Sequence, residues 1–213
     1  MRQRLACALW IVGSAVAGWA GQPGQHPSNQ TATASKGMIA GPQTANAFAL
    51  GQPLVPGTAV FTGEKFDTGP RGQAMLGSDG GGVLTLGHSS TATVSATSGR
   101  ASLDLQKGFV ICYGSSPVVT PGGFKEFAKP GSSFELMTDG SKTYVLDLHG
   151  DTNIATGTTP LNLTSGQAVL LERGPGGAIQ VTPLSPHQFD QAVKPFALSG
   201  SPNFDKQDAS PIR

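Results

Sequence analysis

The side chains able to do chemistry are few and far apart. The histidines are His26, His88, His149 and His187. A zinc or haem site needs ligands at short, fixed spacings, and no two of these histidines have one. No Cys-X-X-Cys occurs, the cysteines being Cys7 and Cys112. Cys112 lies between Ile111 and Tyr113 in an apolar run, the setting of a packed thiol rather than a nucleophile. Gly140-Ser141-Lys142-Thr143 has the ending of a phosphate-binding loop without its upstream glycine, and no helix follows to face a phosphate. It reads as a hairpin turn. Gly87-His88-Ser89-Ser90-Thr91 lacks the second glycine of a nucleophile elbow. Asp147 and Asp151 are the one carboxylate pair close in sequence. A glycosidase pair must flank a bound sugar, and the chain after residue 20 has no tryptophan and only Tyr113 and Tyr144 to line a groove. The expectation is a protein without catalytic, metal or cofactor residues. A glycan-acting β-roll enzyme is the enzymatic alternative.

The chain of 213 residues suits one domain plus tails. Charged residues make up 13%, half the usual share, while glycine (30) and proline (16) are abundant. Arg2 and Arg4 precede the uncharged run Leu5–Ala20, which ends in Gly18-Trp19-Ala20. This is the pattern of a secretory signal cleaved after Ala20. As a helix, the run would reach only ~24 Å, short of a ~30 Å hydrocarbon core. Without it, 12 basic residues (14 less Arg2 and Arg4) face 13 acidic ones. So balanced a chain has no attraction for nucleic acid or anionic lipid, and no further run could span a membrane. A periplasmic or secreted location follows as the expectation.

Residues 21–44 are small, polar and proline-containing, and read as a flexible linker. Residues 184–213 carry three Ser-Pro pairs and scattered Phe189, Phe196 and Phe204, and read as a mostly loose tail. Between Ala45 and Pro183, short runs rich in Val, Ile, Thr and aromatics recur about every ten residues between turn residues. They include 57–63, 72–78, 82–87, 91–96, 101–106, 109–114, 133–138 and 143–150. Such runs are antiparallel strands. Tyr144, Leu146 and Leu148 fall on one face and Asp147 on the other. Asp79-Gly80 and Asp139-Gly140 supply left-handed turn positions, and Lys107-Gly108 separates two runs. The expected fold is all-β: an antiparallel β-sandwich or β-roll of many short strands, with flexible tails.

The stretch LVPGTAVFTGEKFDTGPRGQAMLGSDGGGVLTLG resembles the core motif of the FecR domain. Gly57, Thr62-Gly63, Thr68-Gly69, Ala74, Leu76, Asp79-Gly80, Leu84 and Leu86 carry the likeness. LDLQKGFVIC, VVTP (118–121), KPGSSFELMTDGSKTYVLDLHGDTNIA and LNLTSGQAVLL resemble its later pieces in order, over roughly Ala45–Pro183. The resemblance implies an extracytoplasmic β-domain. In founding members a cytoplasmic anti-sigma arm and a transmembrane helix precede that domain, which relays the state of an iron-siderophore receptor. Here only Met1–Arg4 precede the apolar run, so the expectation is the domain without the arm.

The function expected is a non-catalytic binding module of the cell envelope. It would engage another envelope protein or polymer through sheet edges or loops. The candidate loops are the turns holding Asp79, Gly80, Asp139, Gly140 and Lys142, chosen because turn tips are exposed. The alternative is a membrane-anchored sensor, which an uncleaved Leu5–Ala20 would favour.

Overall fold

The computed structural model describes residues 37–157 and 160–196. The expected signal segment, residues 21–36 of the expected linker, and the tail from residue 197, with Phe204, lie outside the described residues.

Two sheets stack face to face. The front sheet runs β4 (Ala59–Phe61), β1 (Gly37–Ala40), β5 (Lys65–Ser78), β6 (Val83–Leu86), β8 (Arg100–Tyr113), β11 (Ser133–Thr138), β12 (Lys142–His149), β15 (Ala168–Arg173) and β16 (Ile179–Leu184). The back sheet runs β3 (Gln52–Pro53), β2 (Ala45–Ala49), β5, β7 (Thr91–Thr97), β8, β9 (Val118–Val119), β10 (Lys125–Ala128), β13 (Asp151–Ala155) and β14 (Pro160–Thr164). Neighbours are antiparallel except β8 and β9. The all-β sandwich expected from the strand pattern is present.

β5 and β8 belong to both sheets and make the corners, the standard way for strands to turn between packed sheets. β5 pairs with β7 over Lys65 to Asp67 and with β2 from Phe66 to Gln73, then with β6 from Ala74 on. Between them, a Cβ on Gly72 would overlap the Asn46 carbonyl oxygen. β8 pairs with β7 as far as Lys107 and with β11 from Gly108 on, and Gly108 has φ +114°. Gly108 thus bends one continuous strand where the sequence suggested two. Thr68 and Ser90 hold the corners together. Thr68 Oγ1 donates to the Gly87 carbonyl at 2.7 Å and accepts from Ser90 N–H at 2.8 Å, while Ser90 Oγ accepts from Phe109 N–H at 3.1 Å.

The inner faces meet over Leu76, Leu84, Val110 and Phe134 from the front and Phe66, Leu103 and Ile154 from the back, all fully buried. A second apolar cluster lies on the other side of the front sheet. There Phe109, Ile111, Met137 and Leu146 are covered by Phe189 and Val193 of the helix α1 (Pro186–Val193).

Two expectations need correction. The folded region begins by Gly37, inside the expected linker, because Met38 and Ala40 alternate into the core with 0% and 2% exposure. The expected loose tail begins with α1, whose Phe189 is fully buried. Ser185 and Gln188 start this helix with a capping box, and Pro186 occupies its first turn, where no N–H is missed. Tyr144, Leu146 and Leu148 share a face as their alternation indicated; it is the face under α1, and the opposite residue Asp147 points inward at 0% exposure.

Candidate interaction surface

The two turns singled out in the sequence do not come together. The Asp79–Gly82 turn joins β5 to β6 at the level of Tyr113 and Ser133, since Val83 pairs with Tyr113 and Tyr113 with Ser133. The Asp139–Lys142 turn lies at the other end of β11, where Thr138 pairs with Gly108. Five residue steps of about 3.4 Å put the two ends roughly 17 Å apart.

Each turn is also occupied with closing its hairpin. Asp139 Oδ1 accepts from the Ser141 and Lys142 N–H groups, both at 2.8 Å, and from Ser141 Oγ. Burial pushes its carboxyl up, but these hydrogen bonds and the Lys142 charge outweigh burial and leave its pKa lowered. Gly140 takes φ +101° as expected. Lys142 pairs with Glu172 at 3.3 Å. In the other turn the left-handed position falls on Gly81, at φ +81°, and not on Gly80. Ser115 Oγ donates to the Gly80 carbonyl, and Ser78 and Ser116 share a 2.7 Å hydroxyl bond beneath the turn.

The other reactive groups are inside. The Cys112 thiol is fully buried beside the Gly114 and Ser116 carbonyls, and burial pushes it up to about 12. A thiolate is the nucleophilic form, so this thiol is inert. Asp147 is buried, its carboxyl raised by desolvation with Thr152 opposing. Asp151 is outside and pairs with Lys129 at 2.7 Å. The two acids therefore do not share a cleft. Glu126 points inward from β10 at 0% exposure, opposite Val118 and Ile154, with no hydrogen-bond partner for either oxygen. Burial pushes it up to about 8.

What the surface does display is apolar and sits at one margin. Of seven large apolar side chains exposed among the described residues, five come from the first four strands and their turns: Ile39, Phe48, Leu50, Val55 and Phe61. The stretch from Gly37 to Phe61 that carries them has no charged residue. It also supplies the edge strands on this side of both sheets, β4 and β3. Neither strand carries a charge of its own; both are short, β3 includes Pro53, and Glu64 takes the Phe61 N–H and carbonyl of β4, which are common ways of blunting an edge. Leu50 is 60% exposed on a turn and has φ +50°, a region bulky residues rarely enter.

The apolar surface continues across the outer face of the front sheet. Registers place Ile39, Gly77, Val83 and Tyr113 in one row. Ile39 is 58% and Tyr113 49% exposed. Gly77, between Ile39 and Val83 in this row, adds no side chain. The next rows, through Ile111 and Phe109, pass under α1. The sequence reading missed these residues because it sought exposed turns. The uncharged run from Gly37 was the available signal.

No protein-family model matches the chain, and no curated protein matches it. Two solved structures of a "putative anti-sigma factor" from Parabacteroides distasonis ATCC 8503, at 1.65 Å and 2.50 Å, are similar to it at 12% and 11% identity, each with a TM-score of 0.45. In each case the similarity covers 57% of this chain and 60% of that one.

Proposed function

We propose that this chain is an exported FecR-like β-domain that docks an envelope protein, without catalysis, on its uncharged N-terminal margin. The observation that carries this reading is the exposure of Ile39 and Phe61 on the front sheet, of Phe48 on the back sheet, and of Leu50 and Val55 in the turns between them, all within the uncharged stretch from Gly37 to Phe61. Apolar patches of this kind mark interaction sites. A partner's apolar side chains would seat against Ile39 and Phe61 on the outer face of the front sheet, since the Phe61 N–H and carbonyl on the β4 edge are already taken by Glu64. A neutral surface suits a protein segment better than a charged polymer or nucleic acid. The FecR resemblance and the Leu5–Ala20 segment support the envelope location.

The test pairs two baits, the mature chain and its Ile39→Asp/Phe61→Asp variant, against envelope extracts. One protein retained by the first and lost by the second, with circular dichroism unchanged, is the expected result. Equal capture by both would overturn the reading. A mature N-terminus at Gly21 in the periplasmic fraction is the companion expectation for export.

A further inference from the structure

The helix α1 lies on a surface that contains an acid. Glu135 occupies the middle of β11, paired with Ile111 on one side and Leu146 on the other, on the outer face of the front sheet. It is 3% exposed, and its Oε1 has no hydrogen-bond partner. Its neighbours Ile111, Met137 and Leu146 all lie in the cluster that α1 covers. An aliphatic residue would carry no such group, whereas ionising a carboxyl with one oxygen buried and unpaired destabilises whatever covers it.

The cover is short. α1 has eight residues and two buried anchors, Phe189 and Val193, one turn apart, with Leu184, Ala192 and Phe196 half-buried around them. A helix this short does not persist alone in water, so its order depends on docking. Asp190, next to the anchor Phe189, bears its charge on Glu135.

We propose that α1 is a releasable cover: ionisation of Glu135 beneath it, against Asp190 on the helix, lifts α1 and joins Phe109, Ile111, Met137 and Leu146 to the open apolar face beside Tyr113. The other groups facing Glu135 are apolar or distant. β8 presents Phe109 and Ile111, β12 presents Tyr144, Leu146 and Leu148, and β15 presents Ala168 and Leu170. Lys142 and Glu172 lie farther along this face and neutralise each other. His149 is at the exposed end of β12, and His187 and Lys194 are exposed on or beside α1.

Burial first, and then the Asp190 charge, push Glu135 up to about 7. The docked state therefore holds the proton more tightly than the released state. Docking is complete below the ordinary glutamate range and is lost as pH rises through about 7. The cover is closed in acid and open in mild alkali.

Hydrogen exchange on the mature chain, corrected for intrinsic rates, tests this at pH 5 and pH 8. Protection of the α1 amides should fall about tenfold or more, beyond any change in β8 and β11. Glu135→Gln should remove that difference and keep α1 protected at both values. Asp190→Asn should move the midpoint to lower pH, and Phe189→Ala should expose α1 throughout. Equal α1 protection at both pH values, or a pH dependence that survives Glu135→Gln, would overturn the proposal. The measurement needs no partner, so it stands or fails separately from docking at the N-terminal margin.

Discussion

Gly108 packs directly on Ser90: a Cβ added at Gly108 would overlap Ser90 Oγ and lie 2.5 Å from its Cα. This contact fixes the corner at which β8 passes from the back sheet to the front, with Gly108 at φ +114°. Backbone contact leaves no flexible side chain to move aside. Gly108→Ala should therefore cost at least about 2 kcal/mol, combining left-handed strain with overlap. Gly57→Ala is the control. Gly57 has φ +86° with nothing within 4 Å, so only strain of about 1 kcal/mol applies. Urea denaturation of both variants checks the ranking, and an equal loss would show that the Ser90 contact is not what holds the corner.

Glu126 makes stability depend on pH. Its folded pKa is raised to about 8 by burial, so the folded state holds its proton across a range where the unfolded chain releases it. Its favourable contribution is complete below the ordinary glutamate range and is lost as pH rises through 8. The urea midpoint of the wild type should therefore fall between pH 5 and pH 8. Glu126→Gln should make the fall shallower, leaving the part due to Glu135, and exceed wild type at pH 8 by on the order of a few kcal/mol. A midpoint that rises with pH in this range would refute the assignment.

Cys112 should not react in the folded protein. Its thiol is fully buried and its pKa is pushed up to about 12. In the chain starting at Gly21, a thiol reagent at pH 8 should label nothing natively and one site per chain in denaturant. Rapid native labelling would mean that the sandwich opens at β8.

Arg173 ties the end of β15 to the turn between β9 and β10. Its Nη2 and Nε donate to the Gly122 carbonyl at 2.6 and 3.0 Å, and the guanidinium stands 5.9 Å from the Phe124 ring centre. Arg173→Ala should cost about 1–2 kcal/mol, and Arg173→Lys should recover only part of it, because lysine lacks the planar fork. Full recovery by lysine, read from melting temperatures, would argue against the paired geometry.

The strand-and-turn character was legible because alternation and turn residues are local signals. Leu103 and Leu105, two apart in the run 101–106, both face inward, and Gly140 takes the left-handed position expected of it. The orientation of β12 was not legible. Period two identifies two faces, but both faces of the front sheet are covered at this strand, and only packing decides where Asp147 goes. A glycine inside a strand reads locally as an end, yet at Gly108 it is a corner. β1 is too short to show a period. α1 had a readable start at Ser185-Pro186-His187-Gln188, but its anchors Phe189 and Val193 gain meaning only from the apolar sheet face below. The candidate site was missed for a related reason: exposure at Ile39 and Phe61 follows from their position at the sandwich margin, which no local pattern reports.

Photo-crosslinking in cells tests the docking margin most directly. A photoreactive residue replaces Ile39 or Phe61 on the margin, or Thr93 on the back sheet as the control. The account predicts one discrete adduct with an envelope protein from positions 39 and 61, and none from position 93. No adduct from the margin, or the same adducts from all three positions, would contradict it.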